Sequence, residues 1–241
     1  MDMPNTRRII LLGKTGVGKS SLANSIFGEA KFKINNLSDL ETHGTTAETK
    51  SVNGRNITLI DTPGFFDPSR SEEKMKPEMM RCITECAPGP HVFIIVFKME
   101  KFTEHKKAVI TEMCKYFPGN ALKYAVIVFT HGDQLPQGMT LERYVEESGD
   151  LRDLVRKCGG RCHVVDNKYW KSNQDDYRNN HIQVAKLLGT IEQIVTGNQE
   201  GFYTDKSLGR SKVFLFTLIA GMFAAVTAVL LKRYGNVFKW W

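Results

Sequence analysis

The sequence predicts an α/β fold in which a mostly parallel central sheet is covered by helices on both faces. Four runs of strand length, at residues 8–12, 56–60, 91–97 and 124–129, are rich in apolar residues and are separated by helix-like stretches. Nearly continuous apolar runs such as the last two are typical of strands buried on both faces of a parallel sheet. The glycine-rich stretch at residues 13–21 lies between the first run and a helical segment.

Helical stretches are predicted between and after these strands. Residues 72–86 carry Met and Cys side chains at spacings of three and four, which predicts one packed helix face. The stretch at residues 141–158 is predicted to be broken near Ser148. The helices are predicted at residues 22–27, 72–86, 103–117, 141–158 and 181–195.

Residues 13–21 have the phosphate-loop (P-loop) pattern of Gly, four residues and Gly-Lys-Ser. Glycines let backbone N–H groups turn inward around phosphate oxygens, and the following helix adds the positive end of its dipole. Lys19 can reach the outer phosphates of a nucleotide, and the Ser20 hydroxyl can ligate Mg²⁺. A glycine-rich turn without a ligand is disfavoured because the whole pattern follows a strand. The residues predicted to bind nucleotide here are Gly13, Lys14, Thr15, Gly16, Val17, Gly18, Lys19, Ser20 and Ser21.

The strand at residues 56–60 is predicted to be the second arm of a β-hairpin, because Asn53-Gly54 precedes it. It leads directly into Asp61-Thr62-Pro63-Gly64. An Asp at the end of a buried strand, about 40 residues beyond a P-loop, is placed to hold Mg²⁺ through water. The N–H of Gly64 can sense a γ-phosphate. Asp61 is therefore a candidate metal residue and Gly64 a candidate phosphate contact.

The polar segment before the hairpin is predicted to be a switch loop, which a γ-phosphate and Mg²⁺ would order. Thr42, Thr45 and Thr46 are the hydroxyls that could close over the metal, with a solvated loop as the alternative for each. Phe65 and Phe66 stand near the place where a glutamine orients the attacking water in Ras-like enzymes. Because phenylalanine cannot orient water, we expect slow hydrolysis by the isolated chain, or a catalytic group delivered from elsewhere.

The run at residues 124–129 leads into Thr130-His131-Gly132-Asp133, a candidate base-recognition loop. Guanine offers adjacent N–H donors on its Watson–Crick edge, which an acceptor-only carboxylate matches, whereas adenine presents an acceptor there. Asp133 therefore predicts guanine rather than adenine. His131 stands where a lysine is usual and could lie against the base.

A second base-contacting loop is predicted after the short strand at residues 162–165. The side-chain amide of Asn167 could bond the purine edge. Tyr169 and Trp170 could shield the ring or simply pack, and the sequence leaves both alternatives open.

The C-terminal part predicts a membrane anchor. Residues 206–212 are expected to be a linker, residues 213–231 a transmembrane helix, and residues 232–241 a short basic and aromatic tail. The 19 residues of the helix carry no charge, and their length matches a bilayer core. A buried core helix, the alternative, would show a polar stripe. The expected arrangement is tail-anchored, with the globular domain in the cytosol.

The formal net charge of +7 is interpreted as membrane-flanking, because basic residues crowd the C-terminal segment. No Arg/Lys-rich arm or aromatic-basic module is present, so no nucleic-acid partner is predicted. The sequence leaves open whether the membrane is the endoplasmic reticulum, the mitochondrial outer membrane or an endolysosomal one.

Several stretches together resemble the GIMAP/IAN family, the GTPases of immunity-associated proteins. They are Gly-Lys-Thr-Gly-Val-Gly-Lys-Ser-Ser-Leu-Ala-Asn-Ser-Ile-Phe-Gly (13–28), Asp-Thr-Pro-Gly-Phe-Phe-Asp (61–67), Arg-Cys-Ile…Cys-Ala-Pro-Gly-Pro-His (81–91), Phe-Thr-Glu (102–104) and Phe-Thr-His-Gly-Asp (129–133). The resemblance covers about residues 7–205, and the Cys-x-Pro-Gly-Pro-His stretch is its most specific part. It implies a GTPase domain of the septin and Toc-like branch, in which GTP promotes dimerisation or scaffold assembly across the nucleotide face.

The resemblance also implies residue roles. It places guanine contacts on His131, Gly132, Asp133 and Asn167. It favours Thr42 as the switch threonine, because Thr42-His43-Gly44-Thr45 matches the family's Thr-x-x-Cys with threonine in place of the cysteine.

The chain departs from the family pattern at two further positions that matter for its function. Lys101 precedes Phe-Thr-Glu where several members have an arginine that could act in trans, and lysine lacks the planar fork of arginine. Ile34 stands where members often have a serine near the phosphates, so we expect that contact to be absent.

Together these observations predict a P-loop GTPase fold over residues 1–205, with a helical extension at about residues 172–197. The predicted function is a tail-anchored switch or scaffold that binds GTP or GDP with Mg²⁺, assembles in the GTP state and hydrolyses slowly. Its partners would be a second copy or related GTPases. One alternative is an active GTPase completed by dimer contacts, with Lys101 as the candidate trans contact, or by a partner protein. Another is a GTP-stabilised scaffold that never hydrolyses.

Overall fold

Six strands form one sheet, in the order β2-β3-β1-β4-β5-β6. The computed structural model describes residues 6–34, 44–64, 72–170 and 177–204. Neighbouring strands are parallel except for β2, which is antiparallel to β3. The strands are β1 (Thr6–Leu12), β2 (Thr46–Val52), β3 (Arg55–Asp61), β4 (Val92–Lys98), β5 (Ala125–Thr130) and β6 (Cys162–Val164).

The α-helices of the described ranges agree with the pattern in the sequence. The stretch at residues 141–158 is two helices, and the second begins where the Ser148 hydroxyl accepts the N–H of Leu151 at 3.4 Å. The predicted Asn53-Gly54 turn is present, with positive φ at both residues, and it joins β2 to β3. The helices are α1 (Lys19–Phe27), α2 (Glu72–Glu85), α3 (Glu104–Tyr116), α4 (Leu141–Glu146), α5 (Gly149–Lys157) and α6 (Asn180–Gly197).

The sheet is buried on both faces, as its apolar strands require. Alternate residues of β1 and β4, such as Ile9 and Ile94, join one cluster with the apolar side chains of α1 and α6. The intervening residues point to the opposite face. There the Phe93 ring lies 4.7 Å from the ring of Phe117, at the end of α3. Helices therefore cover both faces, which confirms that part of the predicted fold class.

The segment after α6 returns to the sheet and is fastened there by Tyr203. Its side chain is 3% exposed, and its ring centroid lies 5.4 Å from that of Phe93 and 5.9 Å from that of Tyr124. Its N–H donates to the Pro90 carbonyl at 2.8 Å, and its hydroxyl donates to the Pro118 carbonyl at 2.6 Å. Burial and two hydrogen bonds make Tyr203 the anchor of this segment.

The Pro-Gly-Pro-His stretch that carried much of the family resemblance contacts this same segment. The Phe202 ring lies 5.4 Å from the Arg8 guanidinium and 6.0 Å from the His91 ring. Arg8 Nε donates to the Gly89 carbonyl at 2.8 Å, and the Arg8 N–H donates to His91 Nδ1 at 3.0 Å. Residues 88–91 precede β4, at the sheet edge opposite the P-loop. They contact residues 202–203 and Arg8 of β1.

Within the described ranges, no helix has the length and apolar character that crossing a membrane requires. The predicted linker, transmembrane helix and tail, at residues 206–212, 213–231 and 232–241, lie outside those ranges.

We expect Tyr203→Ala to destabilise the folded domain by about 3 to 5 kcal/mol, because it removes a buried aromatic ring and the hydroxyl that donates to the Pro118 carbonyl. Tyr203→Phe keeps the ring and loses one hydrogen bond, so it should cost about 1 kcal/mol. Urea unfolding measures both. The matched control is Tyr169→Ala, at a side chain that is 60% exposed, which should change stability by less than about 0.5 kcal/mol. Equal effects of Tyr203→Ala and Tyr169→Ala would contradict the anchoring role.

Candidate nucleotide and magnesium site

The predicted site residues gather at one edge of the sheet. The P-loop follows the last residue of β1, Asp61 ends β3, and Thr130 ends β5. Residues 165–167 follow β6. Because these strands are parallel, their carboxyl ends meet at the same edge, which is where α/β sheets bind ligands.

The P-loop presents an open helix N-terminus to this edge. Gly18 caps α1 with φ of 89°, in the left-handed region that favours glycine, and makes no side-chain capping bond. The buried Lys19 donates from Nζ to the carbonyls of Gly13 at 3.0 Å and Lys14 at 2.9 Å. The ammonium is thus held at the loop, where a helix N-terminus and a lysine together suit an anion.

Ser20 and Asp61 form the candidate metal pair. The Ser20 hydroxyl donates to Asp61 Oδ2 at 2.5 Å. Asp61 is 8% exposed, and its Oδ1 is a buried atom with no hydrogen-bond partner in the described part of the chain. Burial raises the pKa of this carboxyl, although the Lys19 charge and the donors of Ser20 and Thr62 oppose the shift.

These residues fit Mg²⁺, which prefers hydroxyl and carboxylate oxygens and is bound in such sites by few protein ligands. A divalent cation would give the buried Asp61 Oδ1 a positively charged partner. When bound, Mg²⁺ neutralises charge on the phosphate oxygens. Ser20 would be the hydroxyl ligand of such an ion, and Asp61 would be the carboxylate behind it.

The three switch threonines have different outcomes. Thr42 lies outside the described residues. The Thr45 side chain is fully buried, and its N–H and hydroxyl both donate to Glu78 Oε2 of α2, at 2.7 and 2.9 Å. The Thr45 hydroxyl is therefore engaged by Glu78 and not directed to the metal pair. Thr46 is exposed in β2, opposite Asp61 in the register.

Gly64 packs directly on the P-loop. A Cβ added to Gly64 would overlap the backbone nitrogen and the hydroxyl of Thr15, so only glycine fits this approach. Gly64, the candidate γ-phosphate contact, therefore lies against the P-loop. Phe65 and Phe66 lie outside the described residues.

The base-recognition loop is tied to the P-loop by Thr130. Its hydroxyl donates to the Val17 carbonyl at 2.6 Å and lies 3.0 Å from Nδ1 of His131. His131 adopts a left-handed conformation with φ of 56°, which turns the chain toward Asp133. The Asp133 carboxylate is partly exposed and accepts from Gln134 Nε2 at 2.5 Å. Thr130 was not among the predicted site residues, although its place at the end of a buried strand could have indicated it.

The second loop lies beside the end of the P-loop. Asn167 Oδ1 accepts from the Ser25 hydroxyl of α1 at 3.0 Å, and its amide nitrogen lies close to Gly18. In this structure the amide oxygen is thus bonded to α1. Trp170 is 2% exposed and packs its indole ring against Gly132, so it is a packing residue. Tyr169 is the exposed aromatic of the pair.

Lys101 stands on a loop next to the P-loop. The buried Lys106 donates from Nζ to the carbonyls of Lys98 at 3.0 Å, Glu100 at 2.7 Å and Lys101 at 3.3 Å, which fixes the loop. This loop and Lys14 line a cavity of about 430 Å³. The Lys101 side chain is exposed. Sequence reasoning missed Lys106, because its partners are backbone carbonyls that leave no pattern.

Residues 7–215 match the AIG1 family model. The chain belongs to the AIG1 family. Immune-associated nucleotide-binding protein 9 of Arabidopsis thaliana is 31% identical over 208 residues, which are 83% of this chain and 58% of that protein. GTPase IMAP family member 8 of Mus musculus is 29% identical over 210 residues, covering 87% of this chain and 30% of that protein. The chain therefore spans less than two thirds of these relatives. The resemblance to the GIMAP/IAN family is confirmed.

Solved structures show the same fold. Toc33 from Arabidopsis thaliana in complex with Mg²⁺ and GMPPNP has a TM-score of 0.63 at 20% identity, and covers 80% of this chain and 85% of the Toc33 chain. A dimerization-deficient mutant of Toc33 has a TM-score of 0.65, also at 20% identity, and covers 81% and 86%. These neighbours confirm the P-loop GTPase α/β fold.

Asp61→Asn tests the metal pair through two opposite effects. A buried acid whose folded-state pKa is raised costs stability when it ionises, and this cost disappears as the pH falls below its folded pKa. We therefore expect Asp61→Asn to raise the melting temperature of the metal-free protein at pH 7, by a margin that shrinks in acid. The same change should lower the contribution of Mg²⁺ to nucleotide affinity by about 10- to 100-fold.

The control for this variant is Asp153→Asn, at an exposed carboxylate paired with Arg156 on α5. It should leave both the melting temperature and the Mg²⁺ dependence unchanged. A melting temperature lowered by Asp61→Asn in the absence of Mg²⁺, together with unaltered Mg²⁺ dependence, would rule out this assignment.

Proposed function

We propose that this chain is a guanine-nucleotide-binding switch or scaffold that takes GTP or GDP with Mg²⁺, assembles in the GTP state and hydrolyses slowly. The observation that carries the proposal is the partly buried Ser20–Asp61 pair beside Lys19, in which one carboxylate oxygen has no hydrogen-bond partner among the described residues. Such a pair at a helix N-terminus suits a metal-bound polyphosphate. Membership of the AIG1 family supports the same conclusion.

The preference for guanine rests on Asp133. Its carboxylate lies on the same sheet edge as the phosphate loop and is partly exposed. An ionised carboxylate only accepts hydrogen bonds, so it pairs with the adjacent donors of guanine and is repelled by the ring acceptor of adenine. The Thr130 contact to Val17 links the loop that carries Asp133 to the P-loop.

Assembly through the nucleotide face is supported by the position of Lys101. The loop that carries it is fixed by Lys106, while the Lys101 side chain itself is exposed next to the P-loop. It can therefore contact a group on another molecule that approaches this face. Among the fold neighbours, dimerization is important for the GTPase activity of the chloroplast translocon components atToc33 and psToc159. For this chain, the partner would be a second copy or a related GTPase.

Lys101 also favours a second candidate function, an active GTPase whose turnover dimer contacts complete. Lysine brings a positive charge to the phosphates but lacks the planar fork of arginine, so its effect on hydrolysis would be smaller. The third hypothesis, a scaffold that never hydrolyses GTP, differs from the other two only in its hydrolysis rate.

Residues 213–231 would anchor the protein to a membrane, as their uncharged length suggests. The endoplasmic reticulum, the mitochondrial outer membrane and an endolysosomal membrane are all compatible with this anchor.

Nucleotide turnover over a range of protein concentrations separates these functions. We expect slow turnover at low concentration, with GTP or GDP identified as the bound nucleotide at the end. A turnover rate that rises with protein concentration would assign catalysis to the dimer. Lys101→Ala should then remove this concentration dependence. Lys115→Ala, at a side chain 57% exposed on α3, is the matched control. Bound ATP or ADP in place of guanine nucleotide would overturn the proposed function.

Deletion of residues 211–241 tests the anchor. The full chain should sediment with membranes and resist extraction by alkaline carbonate, because transmembrane helices are retained under those conditions. The shortened chain should be recovered in the soluble fraction. A full chain found in the soluble fraction would contradict the anchor.

A further inference from the structure

We infer that Asp166 is a positioning residue for base recognition, which holds the Asp133 loop and the Asn167 loop in one fixed relation. The inference rests on the proposed guanine binding and deepens it. Asp166 follows β6 directly and is 2% exposed. It lies among the residues of the predicted second base loop, but no role was assigned to it from the sequence.

One carboxylate accepts backbone donors from both loops. Asp166 Oδ2 accepts the N–H of Asp133 at 3.2 Å. Asp166 Oδ1 accepts the N–H of Lys168 at 2.8 Å and also that of Tyr169. The first contact spans from the loop after β6 to the loop after β5, and the other two close a turn around Asn167. The carboxylate therefore sets where the Asp133 and Asn167 side chains stand relative to one another.

The backbone around Asp166 is itself held from two sides. Its N–H donates to Asn180 Oδ1, at the start of α6, at 3.2 Å. The N–H of Gly132 donates to the Val165 carbonyl at 3.0 Å, and Trp170 packs on Gly132. Asp166 thus has a fixed backbone from which its carboxylate can impose a geometry on the two loops.

The charge of Asp166 suits this role. Burial disfavours the ionised form, but the backbone N–H of Tyr169, a hydrogen bond to the Asp133 side chain and the backbone donors of Lys168 and Asp133 together outweigh burial and lower the pKa of the Asp166 carboxyl. An ionised carboxylate accepts on both oxygens. An asparagine would accept on one oxygen and turn an NH₂ donor toward a backbone N–H, which would leave one of the two loops without its partner.

The effect of losing this link should be confined to the base. The phosphate end of the candidate site is built from Lys19 and Ser20 at the start of α1 and from Asp61 at the end of β3. Guanine recognition needs Asp133 to be held at the right distance, because a hydrogen-bonded edge tolerates little displacement. The affinity for a nucleotide that makes no hydrogen bond to Asp133 should therefore stay the same.

The test measures the dissociation constants of GDP, IDP and ADP with Mg²⁺ for the full chain in mild detergent. IDP lacks the 2-amino group that Asp133 would bind, and ADP lacks the guanine edge altogether. For Asp166→Asn we expect GDP affinity to fall about 10-fold or more, while ADP affinity stays within about twofold. The ratio of GDP to IDP affinity should fall as well. Asp153→Asn, at an exposed carboxylate on α5, is the control and should change no ratio.

Asp166→Glu keeps the charge and both acceptor oxygens but moves them by one methylene, and it serves if the asparagine variant does not fold. It should lower the GDP to ADP ratio in the same direction by a smaller factor. An equal loss of GDP and ADP affinity, or unchanged GDP affinity, overturns the inference. If the unaltered chain itself shows no preference for GDP over ADP, the proposed function fails. That outcome is distinct from a wild-type preference that Asp166→Asn leaves intact.

Discussion

The parallel direction of five strands is the constraint on which the site depends. β1, β3, β4, β5 and β6 all end at one edge, so residues far apart in sequence become neighbours without a long connection. Ser20 follows β1 and Asp61 ends β3, yet their oxygens lie 2.5 Å apart. The Thr130 hydroxyl links the candidate base-recognition loop to the P-loop, because it donates to the carbonyl of Val17.

The candidate metal pair contains a buried carboxyl group whose ionisation is disfavoured. The Asp61 carboxyl is buried next to one lysine and one hydroxyl, and burial keeps its pKa above the ordinary value. A cation would relieve this cost, which couples metal binding to the stability of the site. Two further contacts join the surrounding segments: Thr45 to Glu78, and Gly64 to Thr15. The flanks of the predicted switch regions are thus already attached to α2 and to the P-loop.

The parts of the site that the sequence predicts are those with a local pattern. Residues that are consecutive in the sequence encode the P-loop between strand and helix, the Asp at a strand end and the Asn-Gly hairpin. Asp166, Glu78 and Lys106 were missed because they bind backbone groups, whose positions only the fold determines. Trp170 was ambiguous for the same reason, since only the fold shows that Gly132 lies beneath its ring. The Pro-Gly-Pro-His stretch marked the family, and the fold shows that it contacts residues 202–203.

If this edge of the sheet binds guanosine triphosphate with Mg²⁺, nucleotide affinity should depend on both the base and the metal. Calorimetric titration of the protein with GMPPNP and with AMPPNP, each with and without Mg²⁺, tests it most directly. We expect GMPPNP to bind at least about 100-fold more tightly than AMPPNP, and we expect removal of Mg²⁺ to weaken the binding of GMPPNP. Equal affinities for the two nucleotides, or GMPPNP binding that is indifferent to Mg²⁺, would contradict it.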